Sequence, residues 1–169
     1  MKVILYMATS IDGFIAKKDG DSDWVSETDT INFEKKVAET GCIVVGNKTF
    51  KQYKGEIYPI ENVTNIILTS NSTLRSDNDD IVYVQSPADA LNVASERGHD
   101  KVLLIGGGTT NGLFLKDKLI DELVLSVHPF ILGNGIKLFE NVESDINLQL
   151  LSQNELGEGL VQLHYKVRK

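Results

Sequence analysis

The chain is poor in several residue types, and each shortage closes off a class of function. It has one cysteine, Cys42, so an internal disulfide is impossible. Its three histidines lie far apart, and with that one cysteine they give no metal-ligand spacing, so no metal is expected. Cations are outnumbered: 17 Lys and Arg stand against 24 Asp and Glu, for a net charge of −7. An acidic chain of this kind argues against nucleic acid or an anionic membrane as the main partner, although a local pocket can still hold phosphate. Long apolar runs are missing, which excludes a membrane-spanning helix of about 20 residues. The apolar start, residues 1–8, is too short for a signal peptide and is interrupted at Asp12-Gly13, so the cytoplasm is the expected address. Cys42, between Gly41 and Ile43, reads as a small buried hydrophobe.

What is present reads as α/β. At 169 residues, with 41% hydrophobic and 24% charged, the chain predicts one domain over 1–169 with a proper core. Short apolar runs at 2–8, 42–45, 65–68, 81–84 and 101–105 predict buried strands. Between them fall helical stretches. One starts at Thr28 or Asp29, capped by Asp29 or Thr30, and ends at Gly41. Another opens at Ser86-Pro87, with proline at its first position, and runs to Gly98. A short helix is expected over 113–119. Strands at 121–129 and 148–153, and an alternating one at 160–167 joined through Gly157-Glu158-Gly159, finish the chain. The pattern predicts a mostly parallel mixed sheet with an antiparallel C-terminal hairpin.

Three of the strands end alike. Gly46-Asn47-Lys48-Thr49, Thr69-Ser70-Asn71 and Gly106-Gly107-Gly108-Thr109-Thr110 each put glycine, hydroxyl or amide groups just after a buried run. In open α/β sheets the carboxyl ends of parallel strands line the ligand crevice. Glycine there lets backbone N–H groups and a helix N-terminus approach a phosphate. Convergence of three such ends suits a ligand with several phosphates and hydroxyls, and a dinucleotide is the natural one. The strict G-x-G-x-x-G fingerprint is not met, since Asn111 stands at its last position. A set of tight structural turns would use the same residues.

Taken in order, Met7-Ala8-Thr9-Ser10-Ile11-Asp12-Gly13-Phe14-Ile15-Ala16, Gly46-Asn47-Lys48-Thr49-Phe50, Asn65-Ile66-Ile67-Leu68-Thr69-Ser70 and Ile105-Gly106-Gly107-Gly108 resemble dihydrofolate reductase. With Pro129-Phe130-Ile131-Leu132-Gly133-Asn134-Gly135 they are more similar to the reductase domain of riboflavin biosynthesis and its stand-alone bacterial relatives. The resemblance implies a dihydrofolate reductase-like three-layer fold and a reduced nicotinamide cofactor, NADPH or NADH. It would set Ala8 and Ile15 against the nicotinamide, and Gly46, Asn47, Lys48 and Thr49 against the pyrophosphate. Thr69, Ser70 and Asn71 would take the adenosine side, and Gly106, Gly107, Gly108, Thr109 and Thr110 would complete the site, with the Gly106–Gly107 peptide cis. Asp29 would be the catalytic acid beside the substrate, with Ser126 as its hydroxyl partner and Phe33 packing on the ring. Trp24 and Tyr53 are further candidate walls. For Asp29, a plain helix cap is the competing reading.

The departures narrow the substrate. Dihydrofolate reductases carry arginine where Asn47 and Thr109 stand, so a grip on a 2′-phosphate is missing, and Lys48 and Arg75 are the cations left nearby in sequence. Val63 occupies the place of the arginine that clamps folate's carboxylate, a bidentate contact valine cannot make. The zinc deaminase signature is also missing. The expected activity is hydride transfer from NAD(P)H to a small pterin- or pyrimidine-like heterocycle. The alternatives are a non-catalytic dinucleotide-binding protein, a small domain serving assembly, or the 5-amino-6-(5-phosphoribosylamino)uracil reductase of riboflavin biosynthesis. The resemblance and the apolar residues of 129–139 imply a homodimer.

Overall fold

The computed structural model describes residues 1–143 and 145–168. In chain order its elements are β1 (Lys2–Ser10), β2 (Phe14–Ala16), α1 (Glu27–Thr40), β3 (Cys42–Gly46), α2 (Asn47–Gln52), β4 (Thr64–Leu68) and β5 (Ile81–Val84). They continue as α3 (Pro87–Glu96), β6 (Lys101–Leu104), α4 (Gly108–Lys116), β7 (Glu122–His128), β8 (Ile136–Lys137), β9 (Leu148–Glu155) and β10 (Val161–Val167). An eight-stranded sheet runs β5-β4-β3-β6-β1-β7-β10-β9. It is parallel from β5 through β7, and β10 lies antiparallel to both β7 and β9.

Alternation along the strands explains the layers. Val3 and Leu5 point to one face, where Ala90 and Ala94 of α3 and Phe114 of α4 cover them. Ile4 and Tyr6 point to the other, against Val37 of α1 and Phe50 of α2. Both faces of the central strands are therefore buried, which is why those strands read as unbroken apolar runs. The result is the expected α/β fold: three layers, a mixed and mostly parallel sheet, and an antiparallel C-terminal hairpin.

Several boundaries differ from expectation. Helix α1 begins earlier, because Ser26 and not Asp29 or Thr30 is its cap; the Ser26 hydroxyl accepts the Asp29 N–H at 3.3 Å. Helix α4 starts at Gly108 and ends at Lys116, not over 113–119. Helix α3 stops at Glu96, and Gly98 sits beyond it at φ +81°. The strand expected over 121–129 is one residue shorter at each end, and that over 148–153 runs on to Glu155. The pairing of β2 with β8 in a small antiparallel sheet was not legible, because β8 is two residues long.

This second sheet joins two of the sequence motifs. Asp12 accepts the Ser10 hydroxyl at 2.7 Å and the Leu132 and Gly133 N–H groups at 3.0 and 2.8 Å. The Ile11 N–H donates to the Phe130 carbonyl at 2.9 Å. A side chain on Gly135 would run into the Ala16 carbonyl. The Ser-Ile-Asp-Gly motif and the Pro-Phe-Ile-Leu-Gly motif are thus two sides of one clasp at the end of β1.

Candidate active site

The ends of β4, β3 and β6 are neighbours, so the three glycine- and hydroxyl-bearing segments come together. Gly46 pairs in register with Leu68, and the Gly46 N–H donates to the Gly106 carbonyl at 2.8 Å. A Cβ on Gly46 would collide with the Thr110 hydroxyl, and one on Gly107 would come 3.2 Å from the Thr49 hydroxyl. Gly106 lies equally close to Met7, which ties the crevice to β1. The Gly106–Gly107 peptide is cis, as the resemblance implies. Gly107 caps α4 without any side-chain hydrogen bond, so the first N–H groups of that helix are left to another acceptor.

The glycine run divides in two. Gly106, Gly107 and Thr110 face the β3 loop, whereas Gly108 and Thr109 face residues 136–140. A Cβ on Gly108 would strike the Lys137 carbonyl, and the Thr109 hydroxyl donates to the Glu140 carboxylate at 2.6 Å. Gly112 is packed in the same way against the Glu140 backbone. Tight packing of α4 on this segment therefore accounts for two of the positions assigned to the cofactor. Of the other expected contacts, Thr69 is buried and caps its own turn through the Asn71 N–H, and Asn71 accepts twice from Thr73. Ser70 and Lys48 are exposed at the rim, and the Asn47 Oδ1 is buried without a partner among the described residues. Arg75 donates to the Ser72 and Leu74 carbonyls of its own loop. Val63 is buried in the core.

Beyond β1 lies a buried polar cluster. Tyr6 donates its hydroxyl proton to Asp29 Oδ1 at 2.7 Å and accepts from Gln162 Nε2 at 3.2 Å. Gln162 also reaches the Ser126 hydroxyl at 3.3 Å. Burial, then the charge on Asp29, pushes the Tyr6 hydroxyl well above the usual tyrosine range, so it stays protonated and donating. Asp29 is 2% exposed, on the third residue of α1, and no other described residue bonds its second oxygen. The cap reading of Asp29 is overturned, since Ser26 does that work. Its hydroxyl partner is Tyr6; Ser126 belongs to the cluster through Gln162 and Tyr6. Neither Tyr6 nor Gln162 stood out in the sequence, because a tyrosine in a buried strand and a glutamine in an alternating one look unremarkable. Only the register Gln162↔Ser126 and Ala8↔Ser126 brings β10, β7 and β1 side by side.

The remaining candidates sort by what holds them. Phe33 packs on the Tyr6 ring with centroids 5.8 Å apart. The Tyr53 hydroxyl donates to the Gly20 carbonyl at 2.8 Å and meets Ser22, so it anchors the loop before α1. Trp24 meets His128 and Phe130 edge-on at 5.2 and 4.9 Å. Ala8 is half-buried and Ile15 buried where β1 and β2 leave the sheet.

Comparison with known proteins agrees with this architecture. A profile of the RibD C-terminal domain matches residues 1–162. YwjB of Bacillus subtilis is 29% identical over 171 residues, covering 97% of both chains. The riboflavin biosynthesis protein RibD of Mycobacterium tuberculosis H37Rv is 28% identical over 175 residues, and the match takes in 91% of this chain but 51% of that one. Among solved structures, a Shewanella sp. PV-4 protein named for riboflavin biosynthesis superposes with a TM-score of 0.83 at 27% identity over the whole of both chains. The chain belongs to the RibD C-terminal domain family and shares its dihydrofolate reductase-like fold.

Proposed function

We propose that this protein is an NAD(P)H-dependent reductase that passes hydride to a small heterocycle. One observation carries the reading: Gly46, Gly106 and Gly107 bring two strand ends and the uncapped start of α4 to one place, where added side chains would crowd it. A dinucleotide fits that cradle. Its pyrophosphate would lie on the α4 N-terminus and its adenosine half over Thr69, Ser70 and Asn71. The nicotinamide end would lie toward Ala8 and Ile15. When bound, the cofactor supplies the hydride.

The chain itself supplies the acid and its surroundings. Asp29 offers one oxygen to an N–H of the substrate ring and helps deliver the accompanying proton, while Tyr6 holds its other oxygen in place. Phe33 fixes the Tyr6 ring. Beyond the small-molecule substrate, the partner we propose is a second copy of the chain, since the edge strand β9 has no buried residue and exposes Leu148, Leu150 and Leu151. NADPH and NADH oxidation should be followed with pterin, pyrimidine and quinone acceptors. Dinucleotide binding without turnover of any acceptor would favour a non-catalytic binding protein, and no dinucleotide binding would overturn the proposal.

A further inference from the structure

His128 was not among the expected site residues, yet it is bonded at both ring nitrogens. It is 3% exposed at the end of β7, in register with Ser10 of β1. Side chains two apart on a strand share a face, so His128 lies on the same side of the sheet as Ser126. Its Nε2 accepts the Ser26 backbone N–H at 3.1 Å, and its Nδ1 lies 3.0 Å from the Ser126 carbonyl. A backbone N–H can only donate, so Nε2 carries no hydrogen. The ring proton is then on Nδ1 and is donated to the carbonyl. Trp24 meets the imidazole edge-on with centroids 5.2 Å apart, and Phe130 backs the indole at 4.9 Å, which fixes the plane of the ring.

The bond matters because of where Ser26 stands. Ser26-Glu27-Thr28-Asp29 has the spacing of a capping box, with serine at the cap and a carboxylate three residues on. Half of the box is formed: the Ser26 hydroxyl accepts the Asp29 N–H at 3.3 Å. In a complete box the Asp29 carboxylate would turn back and accept the Ser26 N–H. Here His128 occupies that N–H. The carboxylate points inward instead, with Oδ1 on the Tyr6 hydroxyl at 2.7 Å and no described residue on its other oxygen. Gln162 joins Tyr6 to Ser126, and the Ser126 carbonyl leads back to His128. The bonds close a circuit in which Ser26 holds the backbone of the acid, Tyr6 holds its carboxylate, and His128 links the two arms. Hydrogen bonds to a charged acceptor are the stronger kind. A Ser26 N–H freed of the imidazole would therefore draw an Asp29 oxygen back to the helix cap.

We infer that His128 is a positioning residue: by occupying the Ser26 N–H it keeps the Asp29 carboxylate out of the helix cap and beside Tyr6, with one oxygen open. It acts through Ser26. This rests on the reductase reading for the task of the carboxylate, whereas the place of the carboxylate does not depend on that reading.

Nitrogen-15 spectra of the full chain, labelled at histidine, read the tautomer directly. The imidazole whose signals vanish in His128→Gln should carry its proton on Nδ1 and none on Nε2. A proton on Nε2 would overturn the inference. This is measured on the parent protein, so it stands even where a variant does not fold. His128→Phe keeps a ring against Trp24 but has no acceptor, and its crystal structure should show an Asp29 oxygen on the Ser26 N–H. No Asp29 oxygen at that N–H would count equally against it. His128→Gln offers an amide oxygen in place of Nε2 and should leave Asp29 on Tyr6. With a pterin or pyrimidine acceptor that the parent protein reduces, His128→Phe should lose about 10–100-fold in kcat, with the dinucleotide KM within about twofold, and His128→Gln should recover most of the loss. Equal loss in both variants, or loss confined to KM, would make His128 merely structural. If the parent protein reduces no acceptor, the reductase reading falls, and the tautomer and the place of the carboxylate still decide the inference.

Discussion

The two sides of the sheet are built differently. From β4 to β1, helices cover both faces, and every residue of β3 and β4 is buried. From β7 outward the helices stop: β10 is half-buried along most of its length and β9 has no buried residue. The clothed side gives rigidity and the glycine cradle. The bare side gives polar side chains that reach across strands, Gln162 to Ser126 and Tyr6 being the example. The candidate chemistry sits at the seam, where β1 touches both. The comparison suggests that stability is concentrated on one side and specificity on the other.

The sharpest test is energetic. Phe114 is fully buried between α4 and the sheet, so Phe114→Ala should cost about 3–5 kcal/mol in urea unfolding. Leu150 is 48% exposed on β9 within one chain, so Leu150→Ala should fall within about 0.5 kcal/mol at high dilution and cost more at concentrations where the proposed second copy covers β9. A cost for Leu150→Ala that stays small at every protein concentration would count against a second copy on β9 and leave the two sides of the sheet unlike.

Next comes the acid at the seam. In Asp29→Asn the amide oxygen can still accept from Tyr6, so stability should drop by only about 1 kcal/mol. The catalytic constant should fall by about 10²–10⁴ if the carboxylate handles the proton. Turnover equal to that of the parent protein would make the Tyr6–Asp29 pair purely structural.

The glycine run tests the comparison within one segment. Gly107→Ala, facing Thr49, should weaken dinucleotide binding at least tenfold, or about 1.4 kcal/mol, with little change in unfolding midpoint. Gly108→Ala, facing the Lys137 carbonyl, should instead destabilise the fold by about 1–3 kcal/mol. Should Gly107→Ala bind as well as the parent protein, the triplet is only a turn.

How far the sequence could be read follows the same division. Runs such as Cys42-Ile43-Val44-Val45 announce a strand buried on both faces, and glycine after them announces a crevice, because both signals are local. The start of α1 lies one or two residues before the expected Thr28 or Asp29 because Ser26 competes with Asp29 and Thr30 for one role, and only tertiary burial of the Asp29 carboxylate decides between them. Helix α4 reaches back over Gly108, Thr109 and Thr110 because residues 136–140 pack against it, a contact nearly thirty residues away in sequence. Tyr6 and Gln162 are 156 residues apart, and no local pattern marks either for a site.

The smallest effect should appear at the clasp over the end of β1. Asp12 is exposed, and its carboxyl is held below the usual carboxylate range, chiefly by the Ser10 hydroxyl, against an opposing desolvation, and further by the Leu132 and Gly133 N–H groups. A carboxyl lowered in the folded state is protonated more readily in the unfolded one. Its contribution is therefore complete above the unfolded value of about 3.9 and is lost as pH falls through the lower, folded value. Between neutral pH and roughly pH 5 the clasp should be unchanged. On further acidification the Leu132 and Gly133 amides should lose protection from hydrogen exchange before the amides of β3 do, since β3 lies wholly in the clothed side. Asp12→Asn keeps an acceptor but has no proton to gain, so its exchange at these two amides should start higher and lack the acid-dependent step. Protection at Leu132 and Gly133 that holds, in the parent protein, until the whole sheet unfolds would show that the loop is kept by Phe130 and the β2–β8 pairing, and that Asp12 does not clamp it.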